Sequence, residues 1–116
     1  MTGPSFDFDQ FRIAYKARDA GSWLDFYTDD AEWIEYGPDL SACLRRMAGR
    51  AAIGEFLRAT STWPEVLGIE EPEVDTDRIR FRVRIRDAEG HRLVDHVMLL
   101  TEDGRIRRQV DIGVSE

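Results

Sequence analysis

The stretch RIRFRVRIRDAEGHRLVDHVMLLTEDGRIRRQVDIG, residues 78–113, decides the fold. It holds three segments rich in β-branched residues, at 78–86, 92–100 and 105–113, and the intervening DAEG and TEDG suit turns. A fourth such segment, at 66–74, precedes them and is separated by the turn-like DTD. Short turns favour antiparallel neighbours, so this half of the chain predicts a four-stranded meander.

The first of these segments alternates arginine with apolar residues, so its two faces differ. A row of five arginines resembles a nucleic-acid contact, but the chain carries a net charge of −7, the wrong sign for gripping a polyanion. The acids of EEPEVD, residues 70–75, offer partners instead. The predicted cross-strand pairs are Asp75 with Arg78, Glu73 with Arg80 and Glu71 with Arg82, with Pro72 a possible site of a bulge.

Helices are predicted mainly in the first half of the chain. Helical spacing of apolar residues marks 6–20 and 50–60, and Ser22 is a candidate cap for a short helix at 23–27. AEWIEY, 31–36, reads as a strand, whereas 39–48 shows no clear pattern. We therefore expect one α+β domain spanning 1–116, with three helices packed on the concave face of a curved, mostly antiparallel sheet.

Composition excludes several classes of site. Cys43 is the single cysteine, so neither an intrachain disulfide nor a cysteine-based metal site can form. His91 and His96 lack a recognised metal-ligand spacing. The longest apolar run, 97–100, is far too short for a membrane span. The expectation is a cytoplasmic protein with no metal, cofactor, membrane or nucleic-acid partner.

The order of elements and three phrases resemble one superfamily. AGSWLDFYTDDAEWIEYGP at 20–38, MAGRAAIGEFL at 47–57 and VDHVMLLTEDGRIRRQVDI at 94–112 are similar to the nuclear-transport-factor-like superfamily, and within it to SnoaL-like polyketide cyclases and ketosteroid isomerase. The resemblance implies a cone-shaped fold whose pocket lies between the helices and the concave face of the sheet.

The isomerase resemblance also implies catalytic positions. Glu35 matches a carboxylate that shuttles a proton, and Asp95, directly before His96, matches a protonated acid that donates a hydrogen bond to an oxyanion. Strict counting places Ala14 where that family has a second donor, a tyrosine; Tyr15, the candidate here, is one residue away, which turns a helical side chain by about 100°.

Asp111 and Gln109 would occupy apolar positions of the isomerase pocket. Asp111 also falls near an acid of epoxide hydrolases with this fold, but Arg80 and Arg82 replace the arginine and acid that such enzymes need, which disfavours that activity. A carboxyl group buried in an apolar cone gains a raised pKa and can hold or move a proton near pH 7. Structural hydrogen bonding of Asp95 and simple solvation of Glu35 remain open alternatives.

The remaining candidates are expected to shape the pocket walls and bind ligand. They are Trp33, Phe56, Phe81, Val83, Ile85, Val97, Leu99 and Gln109.

Two registers compete for the last strand. The alternation of apolar and polar residues predicts that Ile106, Val110 and Ile112 are buried. The superfamily register instead turns Gln109 and Asp111 into the cone and leaves those aliphatic residues on the outer face. An apolar outer face needs a cover, and a homodimer packed sheet against sheet would supply it.

The leading functional hypothesis is a small enzyme that performs cofactor-independent acid/base chemistry. Isomerisation, dehydration or cyclisation of an apolar, carbonyl-bearing or polycyclic molecule fits the predicted site. Two alternatives stay open: a non-catalytic ligand-binding or dimerisation module, and an engineered scaffold on the same fold.

Overall fold

Helices lie mainly in the first half of the chain and strands dominate the second. The computed structural model describes residues 6–37, 43–59, 65–87 and 89–115. Within them the first half forms α1 (Phe8–Ala17), α2 (Ala20–Leu24), β1 (Tyr27–Tyr36), β2 (Cys43–Ala48) and α3 (Arg50–Ala59). The second half forms β3 (Glu65–Val74), β4 (Arg78–Arg86), β5 (Arg92–Glu102) and β6 (Arg105–Ser115).

The six strands build one sheet in the order β2-β1-β6-β5-β4-β3. The predicted meander of the last four strands is confirmed, and every neighbouring pair is antiparallel except β1 with β6. That parallel pair joins the two halves of the chain. The predicted α+β class, with a mostly antiparallel sheet and three helices, is therefore confirmed.

Aspartate side chains cap the first two helices. Asp7 accepts a hydrogen bond from the Gln10 amide at 3.1 Å, and Asp19 accepts one from the Ser22 amide at 3.3 Å. The predicted bounds of α2 were wrong, because Asp19 rather than Ser22 caps it and the helix ends at Leu24. Tyr27, predicted to be helical, is instead the first residue of β1 and pairs with Ile106.

Strand β2 falls in the segment for which the sequence shows no clear pattern. It is an edge strand in which Met47 alone is buried, so no alternation of apolar and polar residues marks it. Gly49 follows with φ of 93°, a conformation that glycine adopts without strain, and its amide donates to the Ala31 carbonyl at 2.8 Å. This turn directs the chain from β2 into α3.

The arginine-rich strand β4 has the two faces predicted for it. Ile79, Phe81 and Val83 are buried against the helices, whereas the arginines face outward. Glu73 pairs with Arg80 at 2.8 Å, as expected. Arg82 contacts Glu71 at 2.6 Å, although its backbone partner is Glu70, because a bulge interrupts the register.

That bulge lies beside Pro72, where it was expected, and Glu71 has a φ of 54° there. At the hairpin end, the Asp75 amide donates to the Arg78 carbonyl at 2.8 Å, which agrees with the predicted pairing. The arginine row is therefore a charge-paired outer surface. Its exposed ion pairs contribute little each, about 0–1 kcal/mol.

The superfamily register of β6 is the one observed. Gln109 and Asp111 are buried on the concave side, and Val110 and Ile112 lie on the outer face, half-buried. Ile106 was wrongly grouped with those two and is fully buried. A register shift between the β5 and β6 partners, at Leu100 and Thr101, changes the alternation between Ile106 and Gln109.

Phe11 lies at the centre of the core between α1 and the sheet. It is fully buried, and its ring contacts five aromatic neighbours at centroid distances of 5.4–6.4 Å that include Phe26 and Phe81. These contacts fix α1 across the concave face. In the described ranges, no helix has the length and apolar character needed to span a bilayer.

Replacing Phe11 with alanine should lower the free energy of unfolding by about 3–5 kcal/mol, because it removes a buried ring and leaves a cavity. Ile13 on the same helix is 60% exposed, so Ile13→Ala is a matched control that should cost less than about 0.5 kcal/mol. Urea denaturation followed by circular dichroism measures both. Equal effects of the two substitutions would contradict this account of the core.

Candidate functional site

A cavity of about 230 Å³ opens between the concave face of the sheet and the three helices. Aromatic rings form much of its wall: Tyr15 from α1, Trp23 from α2, Trp33 from β1 and Phe56 from α3. Three carboxyl groups, Glu35, Asp95 and Asp111, lie among them. The site thus combines an apolar wall with a cluster of acids, the usual composition of a small-molecule pocket.

The three acids come from three adjacent strands. Glu35 of β1 is the direct partner of Asp111 in the parallel pairing with β6. Asp95 of β5 lies opposite Gly113, two residues along β6 from Asp111 and on the same face. Because β1, β6 and β5 are neighbours only in the folded sheet, the cluster exists only in the tertiary structure.

The half-buried Asp95 and the buried Asp111 form a hydrogen-bonded pair. Burial raises the pKa of Asp95 to about 6, while the hydrogen bond from Asp111 opposes the rise. Burial, and then the charge of Asp95, raises the pKa of Asp111 well above its ordinary value. Both carboxyl groups therefore keep a proton to higher pH than an ordinary aspartic acid, and the proton of their hydrogen bond is favoured on Asp111.

A chain of buried hydrogen bonds holds Asp111 in place. The Trp23 indole N–H donates to the Tyr27 hydroxyl at 3.2 Å, and that hydroxyl donates to the Gln109 side-chain oxygen. The Gln109 amide nitrogen in turn donates to Asp111 Oδ1 at 2.9 Å. This chain fixes the direction in which Gln109 donates and holds Asp111 Oδ1 as its acceptor.

Tyr15 shares the cavity with this pair although strict counting favoured Ala14. Its pKa is raised well above the ordinary value by burial and then by the charges of Asp95 and Asp111. The phenol therefore keeps its proton at neutral pH and can act as a hydrogen-bond donor. The structure thus brings together all four residues predicted as catalytic: Tyr15, Glu35, Asp95 and Asp111.

Glu35 is more exposed than Asp111 and lies beside a guanidinium group. Its backbone partner on β2 is Arg45, which also lines the cavity. Burial raises the pKa of Glu35, and the positive charge of Arg45 opposes the rise. Glu35 is therefore a half-buried acid whose charge is partly balanced.

The predicted wall residues divide into two groups. Trp33, Phe56 and Ile85 line the cavity. Phe81, Val83, Val97 and Leu99 face the same side of the sheet but are packed in the core, outside the lining. The reason is clearest for Phe81, whose ring is covered by Phe8 and Phe11 of α1.

Gln109 is fully buried behind Asp111 and positions that acid instead of forming wall. Sequence reasoning did not single out Tyr27 or Trp23 as parts of the hydrogen-bond chain, or Arg18 and Arg45 as lining residues. Trp23 and Tyr27 read as helix-packing aromatics, and Arg45 lies in the segment without a clear pattern. The amino-acid sequence contains no local motif that marks these four residues as parts of the site.

Comparison with known proteins identifies the fold. No family model and no curated relative matches the chain. Solved structures do match, among them an NTF2-like protein of unknown function from Mesorhizobium loti, which superposes with a TM-score of 0.81 at 21% identity over 93% of this chain and 88% of that one.

Two further matches carry names that suggest an activity. A candidate ketosteroid isomerase from Kribbella flavida has a TM-score of 0.75 at 19% identity, covering 94% of this chain and 76% of that protein. A candidate isomerase from Bacillus subtilis has a TM-score of 0.71 at 22% identity, covering 92% and 83%. The chain therefore has the NTF2-like fold, as its sequence resemblance predicted, and identities this low establish the fold alone.

Asp111→Asn should stabilise the protein at pH 7. Burial raises the pKa of the native Asp111 carboxyl group. As the pH rises above the ordinary pKa of an aspartic acid, this group therefore lowers the free energy of unfolding, by about 1.4 kcal/mol for each unit by which its pKa is raised. An asparagine keeps both hydrogen bonds, accepting from Gln109 and donating to Asp95, without an ionisable proton. When urea denaturation is measured from pH 4 to pH 8, the free energy of unfolding should decline less steeply with pH in the variant than in the wild type.

The exposed Glu102 supplies the control for that experiment. Glu102→Gln should leave the pH dependence of the free energy of unfolding unchanged. A variant Asp111→Asn that loses stability at pH 7 would contradict the shared-proton description of the pair.

Proposed function

We propose that the protein is an enzyme that moves a proton between carbon atoms of a small carbonyl compound without a cofactor. The observation that carries the proposal is the hydrogen-bonded pair of Asp95 and Asp111, which faces an apolar cavity and in which burial raises the pKa of both carboxyl groups. A carboxylate with a pKa near 6 beside a protonated donor matches the requirement of general acid–base catalysis near pH 7.

The order of pKa values suggests a role for each group. The Asp95 carboxylate takes a proton from the carbon next to the carbonyl, and the C–H electron pair passes to the carbonyl oxygen as an enolate. Tyr15 keeps its proton and donates a hydrogen bond to that oxygen. Asp95 then returns the proton to the same or a conjugated carbon, which completes exchange or isomerisation.

This assignment differs from the one that the resemblance implied. There Asp95 was the neutral donor to oxygen; in the proposal Asp111 is the member of the pair that keeps its proton. Asp111 stabilises the Asp95 carboxylate, and Glu35 is the second acid available to accept a proton from the ligand. The resemblance to isomerase-named structures supports the reaction class but not a substrate.

Asp95→Asn should lower the rate of proton exchange at least about 100-fold, the scale expected for losing a general base. The measurement is hydrogen–deuterium exchange next to the carbonyl of small ketones such as 1-phenylpropan-2-one, followed by NMR. In the wild type the rate should rise as pH increases through about 6, because Asp95 must be ionised to act. Glu102→Gln is the control and should keep the wild-type profile.

Two results would remove the proposal. One is an unchanged exchange rate in Asp95→Asn, and the other is the absence of exchange with every ketone that binds. Binding without exchange would favour the non-catalytic ligand-binding module.

The outer face of the sheet supports a homodimer. Val110 and Ile112 of β6 pair across strands with Met98 and His96 of β5, and Val94 pairs with Val114. The aliphatic members of this group are half-buried, and they form a continuous apolar strip over the two central strands. A second copy packed sheet against sheet would cover it, because the strip is equivalent in both copies.

Sedimentation velocity at micromolar concentration should therefore show a dimer for the wild type and a monomer for Met98→Glu. Val74→Glu is the control, since Val74 is 57% exposed near the end of β3, away from the strip. A monomeric wild type would exclude the dimer without affecting the catalytic proposal.

A further inference from the structure

Two arginines line the cavity whose acids carry the proposed chemistry. Arg45 comes from β2 and Arg18 from the end of α1. Neither position follows from the resemblance to an isomerase with an apolar pocket. Their placement therefore calls for a separate explanation.

Arg45 packs on the aromatic wall of the cavity. Its guanidinium carbon lies 4.5 Å from the centre of the Phe56 ring, and Phe56 contacts Trp33 edge to face. Glu35 is its direct backbone partner, yet no carboxylate among the described residues lies within ion-pair distance of Arg45. Its N–H donors thus stay at the cavity mouth beside apolar surface.

Arg18 occupies a backbone conformation that usually selects glycine. It ends α1 with φ of 56° and ψ of 35°, in the left-handed region. Its guanidinium lies 5.1 Å from the Tyr15 ring centre and 5.3 Å from that of Trp23. Its backbone N–H donates to the Ala14 and Tyr15 carbonyls, so Arg18 both ends the helix and packs on two cavity-lining rings.

Arg45 lies two strands away from Asp111 across the sheet. Its register partner on β1 is Glu35, and the partner of Glu35 on β6 is Asp111. The charge of Arg18 instead acts on Asp95 and Tyr15. A ligand that reaches from Asp111 across β1 towards β2 therefore meets the guanidinium group of Arg45.

From this placement we infer that the ligand is a small keto acid, with its carbonyl at the carboxyl pair and its carboxylate bound by Arg45. The length of the ligand follows from the cavity, whose volume of about 230 Å³ is below the range of about 300–1,000 Å³ typical of drug-sized ligands. A single ring with a short acidic chain fits better than the polycyclic molecule expected from the sequence. This inference rests on the proposed function for the position of the carbonyl.

The test compares a charged probe with a neutral one: 4-oxo-4-phenylbutanoate and its methyl ester, which adds one methyl group. Binding is measured at pH 7 by calorimetry, so no turnover is needed. The carboxylate should bind at least about tenfold more tightly than the ester, because charge-assisted hydrogen bonds to guanidinium are stronger than neutral ones. High salt should reduce that preference.

Arg45→Gln should remove most of the preference and change ester binding by less than about twofold. Arg46→Gln is the matched control: Arg46 is the next residue, faces the outer side of the sheet and pairs with Glu32.

Equal binding of acid and ester by the wild type would overturn the inference, as would equal weakening of both probes in Arg45→Gln. Failure of the proposed function gives a different result. If the charge preference persists while proton exchange is absent, the keto acid is bound but not converted. If exchange occurs with neutral ketones and no charge preference is seen, the catalytic proposal stands and the anion site is lost.

Discussion

The parallel pairing of β1 with β6 is the constraint on which the site depends. It joins the hairpin of β1 and β2 to the meander that follows, and it sets Trp33 beside Gln109 and Glu35 beside Asp111. Strand partners this far apart in the chain come together only when the whole sheet forms. Without that pair, the acids of the two halves would not share a cavity.

Burying the polar groups of the site away from water is unfavourable in free energy, and a network of hydrogen bonds stabilises them. A carboxyl pair inside an apolar cone is unfavourable when ionised, and Gln109, Tyr27 and Trp23 satisfy Asp111 through a directed chain of hydrogen bonds. The same burial that lowers stability at neutral pH gives the pair its retained proton. Stability and the proposed chemistry therefore depend on one physical cause, desolvation.

Charge is distributed differently on the two sides of the sheet. The arginines of β4 are paired with the acids of β3 on the outer surface, where exposure to water limits their contribution. Arg45 and Arg18 instead lie on aromatic rings at the cavity. Residue type alone does not distinguish these two groups of arginines, and only their position relative to the helices and sheet edges does.

The sequence by itself determined the elements whose patterns are local. Period-two alternation located β4 to the residue, helical spacing located α1 and α3, and turn residues separated the strands of the meander. It also pointed to Glu35, Asp95, Asp111 and Tyr15, through a family resemblance. Local patterns suffice there because each depends on neighbours within one or two turns or strand residues.

Tertiary structure alone decided the rest. The edge strand β2 has no alternation to detect, the bulge that buries Ile106 depends on its pairing with β5, and Arg18 and Arg45 reach the cavity from different elements. The proton shared by Asp95 and Asp111 is a property of two strands held side by side in an apolar space. No local pattern encodes it, because desolvation and through-space charge exist only once the cone has formed around the pair.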